Sequence, residues 1–189
     1  MSTKRLLAVL GSPRPDGACA AMLDCAVSAA SRGGWEVEEL RLSEQHLAFC
    51  RGCRACLRTG RCIQQDDLQK IADLWTHSDV IVVAAPTYWA NIPAMLKNLF
   101  DRLLGVALEE GVRAPKARRP GQQSCLLLTS CKAPFPFSVL SGQSSGAFRA
   151  MEAFFRQSGV RCLGKVAYPA PSGAALPERV KRKIEACLR

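Results

Sequence analysis

The sequence has no apolar run near the ~20 residues that a membrane span requires. Its opening, Met-Ser-Thr-Lys-Arg, passes straight into a strand pattern, without the apolar segment and small-residue cleavage site of a secretory leader. No membrane association is expected, and the cytoplasm is the expected location. Acidic residues are few beside basic ones, 16 against 26, leaving a formal net charge of +10. The excess favours anions, but no nucleic-acid recognition motif accompanies it, so nucleic acid is not the expected partner. Histidine is scarce: His46 and His77 stand apart, with no partner pattern, and read as structural. Repeats and linkers are also missing. The 189 residues therefore read as one domain, residues 1–189, long enough for a full core.

What is abundant is cysteine, ten in all. A disulfide framework is not expected at this size in a reducing compartment. Basic residues concentrate in three places. These are Arg51, Arg54, Arg58 and Arg61; Arg113, Lys116, Arg118 and Arg119; and Arg179, Lys181, Arg182 and Lys183. The last group suits a solvated helix face. The first two fall in loops, where they suit either solvation or an anionic cofactor or partner.

Strand and helix signals alternate along the chain. Arg5 to Leu10 is an apolar strand, and Ala18 to Ser31 is an amphipathic helix stopped by Gly33-Gly34. Glu36 to Leu42 is a second strand. Asp66 or Asp67 caps a helix whose inner face is Leu68, Ile71, Leu74 and Trp75. The run Asp79-Val-Ile-Val-Val-Ala-Ala85 is continuous rather than alternating, as in a strand buried on both faces. Pro93 opens the next helix, and residues 105 to 123 read as a long loop. Ser124 to Thr129 and Val160 to Ala167 are the remaining strands. Residues 132 to 142 are irregular, a helix carries Phe148, Met151, Phe154 and Phe155, and a last helix runs from Leu176 to Leu188.

Five strands separated by helices imply an α/β fold: a doubly wound parallel sheet with helices on both faces. In the order 2-1-3-4-5, ligands lie between strands one and three, at their carboxyl ends. Two loops then share one crevice. The first, Gly11-Ser-Pro-Arg-Pro-Asp-Gly17, leads into a helix N-terminus that suits phosphate, with Ser12 as a hydroxyl donor and Arg14 as a bidentate cation. It is neither a P-loop nor a dinucleotide Gly-x-Gly-x-x-Gly. A plain turn capped by Asp16 or Ser12 fits it as well. The second, Pro86-Thr-Tyr-Trp-Ala-Asn-Ile-Pro93, holds Tyr88 and Trp89 between prolines, a rigid ledge for a flat ring.

Together the two loops resemble the flavodoxin-like NAD(P)H-dependent FMN reductase family. The matching residues are Gly11-Ser12-Pro13-Arg14, Pro86-Thr87-Tyr88-Trp89, Lys97 and Asp101-Arg102. The resemblance implies FMN as cofactor and NAD(P)H as cosubstrate. It implies that Ser12, Arg14, Gly17, Ala18 and Cys19 hold the phosphate. Pro86, Thr87, Tyr88, Trp89, Ala90 and Asn91 would cradle the ring, and Thr129 and Ser130 would close its far side. It also implies a homodimer or a dimer of dimers, with Asp101-Arg102 as a candidate subunit contact. Lys97 and Asp101 equally make an i, i+4 surface pair. Ala18 and Cys19 stand where the family often carries Asn and Ser or Thr, so phosphate binding would lean on backbone amides.

Cys50-x-x-Cys53-x-x-Cys56-x5-Cys62 places four thiols in thirteen residues. The spacing suits a 4Fe-4S cluster and looks like that of iron–sulfur flavoproteins, a branch of the same fold family. Zinc, a redox disulfide and no ligand at all remain open at this point. Cys19, Cys25, Cys125, Cys131, Cys162 and Cys187 fall mostly on expected inner faces and read by default as small buried hydrophobes. The leading expectation is an oxidoreductase that passes electrons from NAD(P)H through FMN to a quinone, flavin or other small acceptor. It needs no catalytic acid or base. The alternatives are an electron carrier holding FMN and a 4Fe-4S cluster, reduced by a ferredoxin-like partner, and a basic binding module without a cofactor.

Overall fold

The computed structural model describes residues 3–169 and 175–189. In chain order its elements are β1 (Arg5–Leu10), α1 (Ala18–Arg32), β2 (Glu36–Arg41), α2 (Ala55–Thr59), α3 (Leu68–His77), β3 (Val80–Pro86), α4 (Ala94–Arg102) and α5 (Leu104–Ala107). There follow β4 (Leu108–Glu109), β5 (Lys116–Ala117), β6 (Ser124–Cys131), α6 (Phe137–Leu140), α7 (Gln143–Gln157), β7 (Arg161–Pro169) and α8 (Glu178–Ala186).

Five strands form one parallel sheet in the order β2-β1-β3-β6-β7. Counted along the sheet strands alone this is 2-1-3-4-5, the flavodoxin-like order expected from the alternating pattern. The central strands are continuous apolar runs because both of their faces are covered. On one face Leu7, Val9, Ile81, Val83 and Leu127 pack under Ile71 and Trp75 of α3, Leu96 and Leu99 of α4, and Met151 and Phe155 of α7. On the other, Leu6, Ala8, Leu10, Val82 and Leu126 pack under Met22 and Ala26 of α1 and Ile184 of α8. Phe100 stacks on Phe154 at 4.3 Å between centroids, joining α4 to α7. Among the described residues no helix is long and apolar enough to cross a membrane.

Three expectations need correction. The stretch 105–123 is not a plain loop: it holds α5 and the two-residue antiparallel ladder of β4 and β5. Arg118 organises it, donating to the carbonyls of Gly105 at 3.0 Å and Leu57 at 3.1 Å. Such long-range bonds leave no local periodicity. The irregular stretch 132–142 contains α6, and α7 begins at Gln143, before its first apolar marker. Cys162 is not on an inner face but exposed on the edge strand β7.

Candidate functional site

Register aligns the carboxyl ends of β1, β3 and β6 at one edge of the sheet. Leu10 pairs with Ala84, Ala85 with Thr129, and Pro86 with Ser130. The loops leaving these strands meet there and enclose a cleft of about 180 Å³. Its walls are Ser12, Arg14, Gly17, Ala18 and Cys19 from the first loop, Pro86, Thr87 and Tyr88 from the third, and Ser130, Cys131 and Lys132 beyond β6. A larger hollow of about 850 Å³ opens elsewhere, beside Arg5, Glu36, Lys70 and Asp73. It lies at the amino ends of β1 and β2, whereas ligands of open α/β sheets gather at the carboxyl ends. The smaller cleft is therefore the candidate site.

One end of the cleft is made for an anion. Gly17 precedes α1 in an extended conformation, and no side chain caps the helix. The first-turn amides keep their donor capacity, and the helix dipole adds to it. Ser12 is buried, with its Oγ accepting from the Arg14 amide at 3.2 Å. Arg14 and Lys132 bring positive charge. Cys19 contributes no charge, because burial pushes its thiol up to about 12. Cys131 is raised for the same reason. Lys132 was missed from the sequence; its signal was a cation immediately after the buried run of β6.

The other end is the aromatic loop. Tyr88 and Asn91 exchange two backbone bonds, of 2.8 and 2.9 Å, so that Trp89 and Ala90 form a two-residue hairpin turn. Both turn residues have positive φ, 52° and 55°. That is the geometry of a type I′ turn, which normally uses Asn or Gly. Two ordinary side chains held in the left-handed region store strain, and such strain clusters at functional sites. Trp89 is 101 % exposed. It stands clear of the cleft walls, which Tyr88 reaches. The Asn91 Oδ1 accepts from the Ile92 amide at 2.8 Å, leaving the Asn91 amide group as a donor.

The hairpin is held from below and from the side. The Thr87 amide donates to the Ser130 carbonyl at 2.8 Å, tying the third loop to the end of β6. Thr129 is fully buried beneath the cleft, donating to the Ala85 carbonyl at 2.9 Å with Thr87 Oγ1 at 3.2 Å. It supports the floor and does not line it. On the side, α7 approaches so closely that a methyl group at Gly146 would overlap the Ala90 carbonyl oxygen. Glycine is required there by the close approach rather than by backbone angles.

The four-cysteine loop lies along α4 and α5. Cys50 and Cys53 are exposed, and Cys56 and Cys62 are half-buried. Cys56 is fixed where α2 meets α5, because a side chain at Gly105 would overlap its carbonyl. Burial raises the Cys56 thiol, and the nearby Cys62 and Cys53 sulfurs add to the effect. Among the described residues no three His, Cys, Asp or Glu side chains are gathered closely enough to hold a metal ion. As they stand, the thiols do not form a ready-made cage.

That loop has an internal anchor. Arg102, whose side chain is closed off from solvent, donates to Asp66 and to the carbonyls of Ala48 at 2.5 Å and Gln64 at 3.5 Å. Burial opposes ionisation of Asp66, but bonds from Arg102 and the Leu68 and Ala48 amides outweigh it, and the carboxyl is held below its usual range. The expected subunit contact at Asp101-Arg102 is thus divided: Arg102 points inward. Asp101 forms the exposed pair with Lys97, at 2.5 Å. In the second basic group, Arg118 and Lys116 bind Glu109, and Arg119 donates to the Thr76 carbonyl.

A model of the NADPH-dependent FMN reductase family matches residues 4–122. That span contains the first loop, the cysteine loop and the aromatic hairpin. This chain belongs to the NADPH-dependent FMN reductase family. It is similar to an iron–sulfur flavoprotein of Archaeoglobus fulgidus, 37% identical over 100 residues, which are 53% of this chain and 46% of that protein. An iron–sulfur flavoprotein of Methanosarcina thermophila is 36% identical over 98 residues, covering 52% and 51%. The chain thus spans about half the length of the curated relatives it matches. Among solved structures, an FMN-dependent NADH-azoreductase from Bacillus anthracis in complex with FMN superimposes with a TM-score of 0.73. It is 11% identical, and 97% of this chain and 96% of that one are covered. At that identity the likeness establishes the shared fold of the family.

Proposed function

We propose that the chain is an NAD(P)H-dependent FMN oxidoreductase that delivers electrons to a quinone, a flavin or another small acceptor. The observation that carries this reading is the convergence of an uncapped helix N-terminus, Ser12 and Arg14 with the Tyr88–Asn91 hairpin at one edge of the sheet. The donor set fits FMN: amides, a hydroxyl and a guanidinium for its phosphate, and an aromatic ledge for its ring. When bound, FMN supplies two-electron chemistry, accepting hydride from a nicotinamide and passing reducing equivalents on.

The protein's own part is positioning and electrostatics. Ser12, Arg14 and the amides of Gly17, Ala18 and Cys19 hold the phosphate. Pro86 and Thr87 set the hairpin, Tyr88 and Trp89 offer flat apolar faces, and the Asn91 amide group steadies negative charge at the ring's polar edge. Ser130 borders the far side. No side chain of the site serves as acid or base. We read residues 1–189 as one domain that works in the cytoplasm as a homodimer, with the flavin site near the subunit contact, a reading that rests on the family resemblance.

A second reading is favoured by the relatives named iron–sulfur flavoproteins: an electron carrier with a cluster on Cys50, Cys53, Cys56 and Cys62. The thiols as arranged do not form the cage, so no step is assigned to a cluster. One anaerobic absorption spectrum, recorded before and after NADPH, separates the readings. Flavin bands bleached by NADPH support the reductase. A broad shoulder under the flavin bands, with iron and acid-labile sulfide and little response to NADPH, supports the carrier. Protein that stays colourless after FMN is added overturns both.

A further inference from the structure

Away from the cleft, near the amino ends of β6 and β7, two cysteines stand side by side. Cys125 is the register partner of Cys162. Partners on adjacent parallel strands project to the same face with backbones ~4.8 Å apart. That is inside the Cα separation of roughly 4.4–6.8 Å that a disulfide accepts. Both thiols line a cleft of about 500 Å³ along α7, together with Arg149, Glu152, Arg156 and Arg161. Cys162 is exposed on the edge strand, whereas Cys125 is closed off beneath it. Glu152 is engaged by Lys165 at 2.8 Å, so the three arginines dominate what the cleft presents to a ligand. An exposed thiol, a buried thiol behind it and a cationic rim form a site that the flavin chemistry does not use.

We propose that Cys162 and Cys125 form a thiol–disulfide exchange site for a small anionic disulfide, one carrying free carboxylates. The Cys162 sulfur attacks one sulfur of the incoming disulfide. That S–S bond breaks, and the first small thiol leaves with the Cys162 proton. The Cys125 sulfur then attacks the Cys162 sulfur, the mixed disulfide breaks, and the second small thiol leaves with the Cys125 proton. Two protein thiols become one disulfide, and one small disulfide becomes two thiols; no other oxidant enters. The arginines hold the carboxylates of the incoming molecule.

The order of attack follows from burial. Desolvation pushes the Cys125 thiol well up, with the neighbouring Cys162 adding to the shift, so the exposed Cys162 meets the incoming disulfide first and Cys125 second. Cys187 is not the resolving thiol. It belongs with the α8 side of the sheet, where its Sγ occupies the space over Gly164 that a side chain would fill. Cys162 influences the Cys187 thiol as well, but its register partner is Cys125, and that pair lines the α7 cleft.

The test uses the full chain and oxidised glutathione, with alkylation of remaining thiols and mass-spectrometric mapping. A Cys125–Cys162 crosslink is expected in the wild type, and Cys125→Ala should retain glutathione on Cys162. Cys162→Ser should leave Cys125 unmodified. Oxidised glutathione should react at least threefold faster than neutral hydroxyethyl disulfide at low salt, with the advantage fading at high salt. A lasting glutathione adduct on wild-type Cys162, a Cys162–Cys187 crosslink, or no reaction overturns the exchange site. Equal rates for the two disulfides overturn the anionic ligand. The wild-type map decides the first question even where a variant does not fold.

Discussion

Arg102 donates to both carboxylate oxygens of Asp66, at 2.7 and 2.9 Å, across 36 residues of sequence. The pair clamps the start of α3 and the cysteine loop to the end of α4, since Arg102 also reaches the Ala48 and Gln64 carbonyls. Removing one partner strands the other, a loss of about 3–5 kcal/mol for buried pairs. Arg102→Ala should therefore cut the denaturant midpoint sharply, and should do so more than Lys97→Ala, which breaks an exposed pair worth ~0.5 kcal/mol. Equal effects in urea titrations would refute the anchoring role.

The same pair sets an acid limit. Asp66 is depressed in the folded state, so its contribution is in full force above the ordinary carboxylate value of ~4 and fades as pH falls through the lower folded value. Asp66→Asn should be less stable than wild type at pH 7, and the gap should narrow below pH ~4. A gap independent of pH would show that Asp66 acts by shape alone.

Trp89 contributes strain and no burial to the unliganded protein. Trp89→Gly removes the ring and suits the left-handed turn position. Melting temperature should hold or rise, while the FMN dissociation constant should rise about tenfold, equivalent to about 1.4 kcal/mol. Unchanged FMN affinity in a fluorescence titration would remove Trp89 from the ring site.

Gly146→Ala places a methyl group against the Ala90 carbonyl. Elsewhere in a helix this change stabilises by about 1 kcal/mol. Here it should destabilise and weaken FMN binding together, because α7 or the hairpin must move. A higher melting temperature with normal FMN affinity would contradict the close approach.

Arg14 is assigned to the phosphate and not to the ring. Arg14→Ala should weaken FMN binding about tenfold or more, consistent with a charge-assisted bond of roughly 1.5–3 kcal/mol, and should leave riboflavin binding nearly unchanged. Equal losses for both ligands would place Arg14 elsewhere.

The fold and the two loops were legible in the sequence because they depend on local chemistry. Strands buried on both faces need continuous apolar runs such as Val80–Ala85, and turns beside a helix N-terminus need residues such as those of Gly11–Gly17. Five alternations of strand and helix then leave few topologies open. What depended on contacts between distant residues was not legible. Nothing near Arg102 in sequence shows that it turns inward to Asp66 rather than outward to a partner. The need for glycine at 146 comes from the Ala90 carbonyl, 56 positions away. Cys125 and Cys162 face each other through strand register, which only the assembled sheet determines. Local patterning therefore decided the order of elements and the place of the candidate cleft. Tertiary structure decided which charges are buried, which turns are strained and which thiols meet, because those depend on long-range packing that no window of sequence contains.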